Sequence, residues 1–325
     1  MRPTLLTLRF GQHELGLHAY GVLVAVGFAV GIWLFWREGR RQGLDGGRLL
    51  DLSFWSIVVG LVGSRVAFVA LNLREFGDAC FGLGADAGGR LSGCTAVLRF
   101  WEGGLVFYGG IIATGLVVLL FCRREGWSFW RLGDLAAPTL AIGHVLGRIG
   151  CFLAGCCFGK TCPAPFGVSF PMPSVAYQEL QAVGVVSAGD ARTPTLHATQ
   201  LYEAAGELAI FGLLLLLRRK WRAGAGGDDR AGGHQDQRGG LLLLTYAACY
   251  ATLRFLIEMF RGDASRRYVA EWHPAPLASL LRLPADQPLF LSVSQLISLI
   301  VLAATVATMA WRRRVPAPVT APRHG

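Results

Sequence analysis

The sequence predicts an all-α integral membrane protein with seven transmembrane helices and a small extracytoplasmic head formed by loops. Three observations carry that prediction. Of the 325 residues, 53% are hydrophobic and only 16% charged, and the mean hydropathy is +0.45; soluble domains carry roughly 25% charged residues. Seven stretches reach the length of about 20 apolar residues that a spanning helix needs. Lys and Arg gather in alternate connections, which is the pattern that orients a chain in a membrane.

The seven spans are read at about 15–36, 52–71, 103–122, 132–155, 198–217, 240–260 and 289–311. The first has no small-residue cleavage site and is long enough for a full span, so it is expected to be retained rather than removed as a signal peptide. The second and fourth each hold an arginine within their apolar runs. The fifth ends abruptly at basic residues in "AIFGLLLLLRRK". Between the fifth and sixth, residues 218–239 include "AGAGGDDRAGGHQDQRGG", whose composition is that of a flexible cytoplasmic linker. Residues 72–100 and 156–197 are long enough for small caps outside the membrane, and Pro163, Pro165, Pro171 and Pro173 make the start of the second irregular. No repeat of 20–50 residues is visible, so 1–325 reads as one polytopic membrane domain.

The connections 37–51, 123–131, 218–239 and 312–325 hold 17 Lys and Arg, against 11 on the other side. The bias places the amino terminus in the periplasm and the carboxyl terminus in the cytoplasm. The formal net charge of +10 lies mostly at cytoplasmic helix ends, where anionic lipid head groups attract it. A nucleic-acid partner is therefore not expected.

The remaining three arginines, Arg65, Arg148 and Arg254, lie inside spans. An arginine at mid-membrane costs about 2.5–3.5 kcal/mol even on the insertion scale, so each needs a reason. One reason is pairing across helices: Arg254 with Glu258 at i+4, and Arg148 with Glu203, which lies four residues before Glu207. The other is a polar cavity, to which three arginines in a glycine-rich set of helices point. Guanidinium forks suit phosphate oxygens, and the abundant phosphate in a membrane belongs to lipid head groups. The paired glycines of "WEGGLVFYGG" would let helices or a ligand approach the backbone closely.

"GHVLGRIGCFLAGCCFGKTC" places His144, Arg148 and Cys151 on one stripe of the fourth span, followed by Cys156, Cys157 and Cys162. A histidine at such a position is commonly a hydrogen-bonded core residue, and the alternative is a catalytic base. The C-x4-C-C-x4-C spacing does not match the usual zinc pattern. A local disulfide or small inert thiols are expected there, and no metal.

These blocks together resemble the prolipoprotein diacylglyceryl transferases. "LHAYGVLVAVGF" is similar to the family's first-span pattern, "VGSRVAFV" to its second-span glycine-x-arginine, and "WEGGLVFYGG" to its tryptophan-x-glycine-glycine block. "GRIGCFLAGCCFGK" resembles the family signature, "HATQLYEA" the glutamine-leucine-tyrosine-glutamate block, and "LRFLIEMFRGD" the sixth-span arginine block. The resemblance implies a seven-span bundle in the bacterial inner membrane with a periplasmic head. It implies an activity: transfer of the diacylglyceryl group of phosphatidylglycerol to the lipobox cysteine of a prolipoprotein, with its signal peptide as partner and no cofactor. It further implies that Arg148 and Arg254 hold the lipid phosphate, that Tyr20 and Gly159 are functional, and that Glu203 and Glu258 orient the arginines. Arg65 and Arg261 match further basic positions, and Arg65 is expected on the lipid-binding side of the site.

Three positions depart from the family pattern. Tyr108 stands where a histidine proposed as base is usual, Cys151 where asparagine is, and Cys156 where glutamate is. Tyrosine, with an ordinary pKa of ~10, is a poor base at neutral pH. Tyr108 and His144 are thus both candidates for the base. A membrane thiol–disulfide oxidoreductase using the 151–162 cysteines is the enzymatic rival, although the chain has no C-x-x-C pair. A non-catalytic lipid-binding homologue is the other.

Overall fold

The computed structural model describes residues 4–10, 13–81, 94–100, 103–162, 167–224, 239–263, 266–284 and 286–314. Among them, seven helices are long and apolar enough to cross a membrane, and the chain is a mostly helical, multi-pass membrane protein. In chain order the elements are β1 (Thr4–Phe10), β2 (His13–His18), α1 (Ala19–Arg41), α2 (Gly46–Leu71), α3 (Leu73–Phe81), a 3₁₀ turn (Ala96–Leu98), α4 (Phe107–Glu125), α5 (Phe129–Ala154), β3 (Gly167–Val168), α6 (Val175–Ala182), β4 (Leu196–His197), α7 (Thr199–Gly224), α8 (Leu241–Glu258), β5 (Tyr268–Trp272), α9 (Ala275–Leu280), β6 (Phe290–Ser292) and α10 (Val293–Arg314). The spans are α1, α2, α4, α5, α7, α8 and α10.

Most span ends lie a few residues from where the sequence reading put them, and the last span begins at Val293, after strand β6, rather than at 289. Two of the differences have a clear cause. Residues 15–18 belong to an antiparallel hairpin, β1 with β2, rather than to the first span; "HELGLH" alternates with the period of a strand. At the other boundary, helix α7 continues through Gly224, so residues 218–224 are not linker. Trp221 packs on the core shared by α5, α7 and α8, and Arg218 Nη2 donates to the Asp134 carbonyl at 2.9 Å, which carries the helix past the apolar run. The remainder of the expected linker, 225–238, lies outside the described residues.

The chain divides into two compact units, 35–132 and 1–34 with 133–325. In the smaller, α2 packs along α4. Gly63 and Gly109 face each other so closely that a Cβ on Gly63 would lie 2.8 Å from the Gly109 carbonyl oxygen, and one on Gly109 would lie 2.5 Å from that of Gly63. The helices therefore touch backbone to backbone, as membrane helices do where residues are small. A disulfide joins Cys80, in α3, to Cys94, and no reading of the sequence anticipated it.

In the larger unit, Ala137 and Ala141 of α5, Ile210 and Leu214 of α7, and Leu242 and Tyr246 of α8 form one core. Asp134 closes its end. Its carboxylate accepts from Gly240 N at 2.7 Å and Leu243 N at 2.9 Å, satisfying open amides at the start of α8. At the opposite ends of α5 and α8 a backbone clasp forms. Gly159 N donates to His197 O at 2.9 Å, Lys160 N to Phe260 O at 2.8 Å, and Gly262 N to Phe158 O at 3.1 Å. Phe158, Phe170, Ala176 and Leu196 make the small apolar centre of the head above it.

Candidate active site

The site is built at the ends of α5, α7 and α8. Arg148 on α5 lies 2.8 Å (Nη2) from Glu203 Oε1 on α7, and Arg254 on α8 lies 3.5 Å (Nη1) from the other oxygen of the same carboxylate. Arg254 Nη2 is also 2.9 Å from Glu258 Oε2, one turn along α8. Glu258 Oε1 in turn accepts from Arg266 Nε at 3.1 Å. The result is an alternating row, Arg148–Glu203–Arg254–Glu258–Arg266. Both expected pairs are present, and Glu203 joins them into one array.

The alignment of these contacts matters as much as their length. Glu203 Oε1 and Glu258 Oε2 are buried and accept no aligned hydrogen bond, although an arginine nitrogen lies within 3 Å of each. The nearby N–H vectors therefore point elsewhere. The carboxylates hold the guanidinium groups largely by charge, and Arg254 Nη1 also donates to Glu203 Oε2 at 3.5 Å. The arginine side chains keep 21% and 14% exposure, against 3% and 2% for the glutamates.

Two further cations, Arg261 and Lys160, lie beside the row, and Arg266 within it has other contacts. Arg261 makes a two-pronged bond to Asp263 at 2.7 and 2.6 Å. Burial works against its charge, but Asp263 outweighs burial and raises its pKa. Arg266 stacks on Tyr268 at 4.8 Å and donates to the Arg261 and Glu258 carbonyls. Lys160, nearly completely buried, gives its Nζ to Pro288 O at 2.7 Å. Burial, reinforced by Arg266, lowers its pKa to about 8. The signature glycine before it, Gly159, has no room for a side chain: a Cβ would lie 2.5 Å from the Cβ of His197 and 2.8 Å from the Phe260 carbonyl.

One turn before Arg148 on α5, His144 has an unanticipated partner. Its Nδ1 is 2.9 Å from Glu207 Oε1 and 2.8 Å from the Tyr246 hydroxyl, and its ring lies 5.3 Å from that of Tyr250. Glu207 is fully buried. With Nδ1–H given to the carboxylate, Nε2 is the nitrogen that keeps its lone pair. Tyr20 on α1 packs on Gly150 and interacts electrostatically with Arg148 and with Cys151, Cys156 and Cys157. The Sγ atoms of those cysteines lie within 4.8 Å of one another, unbridged. The Cys156 thiol donates to the Cys151 carbonyl at 3.7 Å. Along α7 and α8 runs an apolar groove of about 390 Å³, lined by Gly206, Ile210, Cys249, Leu253 and Leu256 among others.

Residues 7–311 match the Prolipoprotein diacylglyceryl transferase family. The chain belongs to that family. Among its curated relatives is the phosphatidylglycerol–prolipoprotein diacylglyceryl transferase of Lactiplantibacillus plantarum, 28% identical over 308 residues, which cover 95% of this chain and 89% of the relative. Others carrying the same name come from Thermosynechococcus vestitus, 30% identical with 77% and 81% covered, and Clostridium tetani, 26% identical with 81% and 86% covered.

In this family member, Arg148, Arg254, Glu203 and Glu258 come together, with His144, Tyr20 and Gly159 in the same unit. The other two predicted residues belong to the smaller unit. Tyr108, in the first turn of α4, is about half exposed and edge-on to Phe107. Arg65 on α2 donates to the carbonyls of Val97, Ala96, Gly103 and Gly104 at 2.6–3.0 Å and lies over Phe68 and Phe76. Sequence reasoning missed Glu207 and Tyr246 as partners of His144, and it missed Arg266. A glutamate one turn after Glu203 in an apolar span was the available signal for the first.

Proposed function

We propose that the chain transfers the diacylglyceryl group of phosphatidylglycerol to the lipobox cysteine of a prolipoprotein. The thiolate attacks the glyceryl carbon esterified to phosphate, a carbon–sulfur bond forms as the carbon–oxygen bond breaks, and glycerol phosphate leaves. The observation that carries this reading is the pair Arg148 and Arg254 brought together on Glu203, with both guanidinium groups still partly exposed. A phosphate monoester is a poor leaving group in a low-dielectric site unless its growing charge meets preorganised donors. Arg148 and Arg254 supply them, and Glu203 and Glu258 fix their spacing.

His144 takes the thiol proton at Nε2, and the Glu207 carboxylate, which can only accept at Nδ1, holds the imidazole in that tautomer. This assignment is favoured over Tyr108 because His144 has an orienting carboxylate, as a general base needs. Tyr20 shapes the cavity beside Arg148, Gly159 lets the clasp close, and an acyl chain lies in the groove along α7 and α8. The contacts of Arg65 support a positioning role, holding residues 96–104 ahead of Tyr108. The matched family and its relatives give no support to a thiol–disulfide oxidoreductase or to a non-catalytic lipid binder.

The protein works as one polytopic domain in the bacterial inner membrane, with the clasp and head in the periplasm and 225–238 as a cytoplasmic tether. The Cys80–Cys94 disulfide supports that orientation, since disulfides persist in oxidising compartments. Purified protein in phosphatidylglycerol vesicles should convert a lipobox peptide into its thioether and release one glycerol phosphate per peptide. Absence of both products from well-folded protein would sink the reading.

A further inference from the structure

We propose that Cys151, Cys156 and Cys157 form a binding site for one thiolate-seeking d¹⁰ cation of the Zn²⁺ or Cu⁺ class. Three Sγ atoms within 4.8 Å of one another can close on a single ion. Zn–S bonds are about 2.3 Å, and soft thiolates select such metals. The linear spacing hides the site because helix α5 reverses at its end. Gly155 takes a left-handed conformation (φ +74°), and Cys156 N donates back to Cys151 O at 3.1 Å, a helix-terminating arrangement that returns the following residue over the last turn.

The ligand loop is also held from behind. Cys157 is itself left-handed (φ +58°). Its carbonyl accepts from Thr199 Oγ1 at 2.7 Å, and the Cys156 carbonyl accepts from Gln200 Nε2 at 2.7 Å. Both donors are buried at the start of α7. Outer contacts of this kind fix ligand direction and sustain affinity. Three thiolates around a divalent ion carry one net negative charge. Arg148 interacts with Cys151 and Cys157, and Arg261 with Cys157, so positive groups face that charge. Binding transfers the thiol protons to solvent and ties the end of α5 to the loop that leads into the clasp.

The test uses full-length protein in detergent, reduced and anaerobic, titrated with Cd²⁺ as probe and then with Zn²⁺ in competition. The expected result is one Cd²⁺ per chain, a sulfur-to-metal charge-transfer band, three sulfur neighbours by X-ray absorption, proton release and a rise in Tm. Cys157→Ser should weaken binding by tenfold or more and remove the rise in Tm, whereas Cys122→Ser, on α4, should change neither. Fewer than three sulfurs at the metal of the unaltered protein overturns the proposal, whatever the variants do. So does the absence of saturable binding, or equal affinity in Cys157→Ser. The readouts are independent of transferase activity, so failure here leaves the proposed function standing.

Discussion

Arg65 and Arg254 are both arginines inside apolar helices, yet they are satisfied in opposite ways. Arg65 gives its donors to four backbone carbonyls of its own unit at hydrogen-bond length. Arg254 is held between two buried carboxylates, one of which it approaches at 2.9 Å without an aligned hydrogen bond. An arginine whose forks are consumed by carbonyls fixes a loop. One held between carboxylates stays partly exposed, where a further oxyanion can meet it. The partner therefore separates the two roles, where residue type and location do not.

The strongest way to break that comparison is lysine at both positions. Arg254→Lys keeps charge but loses the planar fork, and should cut the rate of peptide modification by about a thousandfold at normal membrane abundance. Arg65→Lys has three donors for four carbonyls. It should keep activity within about tenfold and lose about 1–3 kcal/mol of stability, read by Tm and by proteolysis of the 96–104 segment. Equal activity losses in the two variants would erase the distinction.

The His144 cluster sharpens the comparison from the side of the base. Glu207→Gln keeps the shape of the cluster and removes the orienting charge. It should lower kcat by about a hundredfold with little change in KM. Unchanged kcat in Glu207→Gln, together with normal turnover by His144→Ala, would return Tyr108 to consideration as the base.

Lys160 should behave as Arg65 does, a cation spent on a carbonyl. Its folded pKa of about 8 lies below the ordinary 10.5, so the unfolded chain binds more protons between those values. Stability should accordingly rise as pH increases from about 8 toward 10.5, and the penalty is fully present below 8. In Lys160→Met this increment should vanish from Tm measured against pH. The smallest effect is expected from deleting residues 225–238, outside both regions: modification should be unchanged, and loss of activity in normally inserted protein would show the segment to be more than a tether.

Much of the fold was legible because a bilayer imposes simple rules. Apolar runs of helix length gave all seven spans, and the i,i+4 spacing of Arg254 and Glu258 gave a pair that helix geometry enforces. Boundaries were less legible, since Trp221 and Arg218 extend α7 through contacts with other helices rather than through local propensity. Within the site, the residue types and two of the ion pairs could be read. The sharing of Glu203 could not, because it depends on where α5 and α8 stand around α7.

The sequence by itself determined a polytopic membrane protein, its span count, and which arginines required an explanation, because hydropathy and the cost of a buried charge are properties of composition and local order. Tertiary structure alone decided which arginine is structural, that His144 has Glu207 behind it, and that Cys156 and Cys157 fold back onto Cys151. Each of these depends on distances of a few ångströms between residues far apart in the chain or reversed at a helix end. Hydrogen-bond direction and ion-pair alignment exist only once those distances are set.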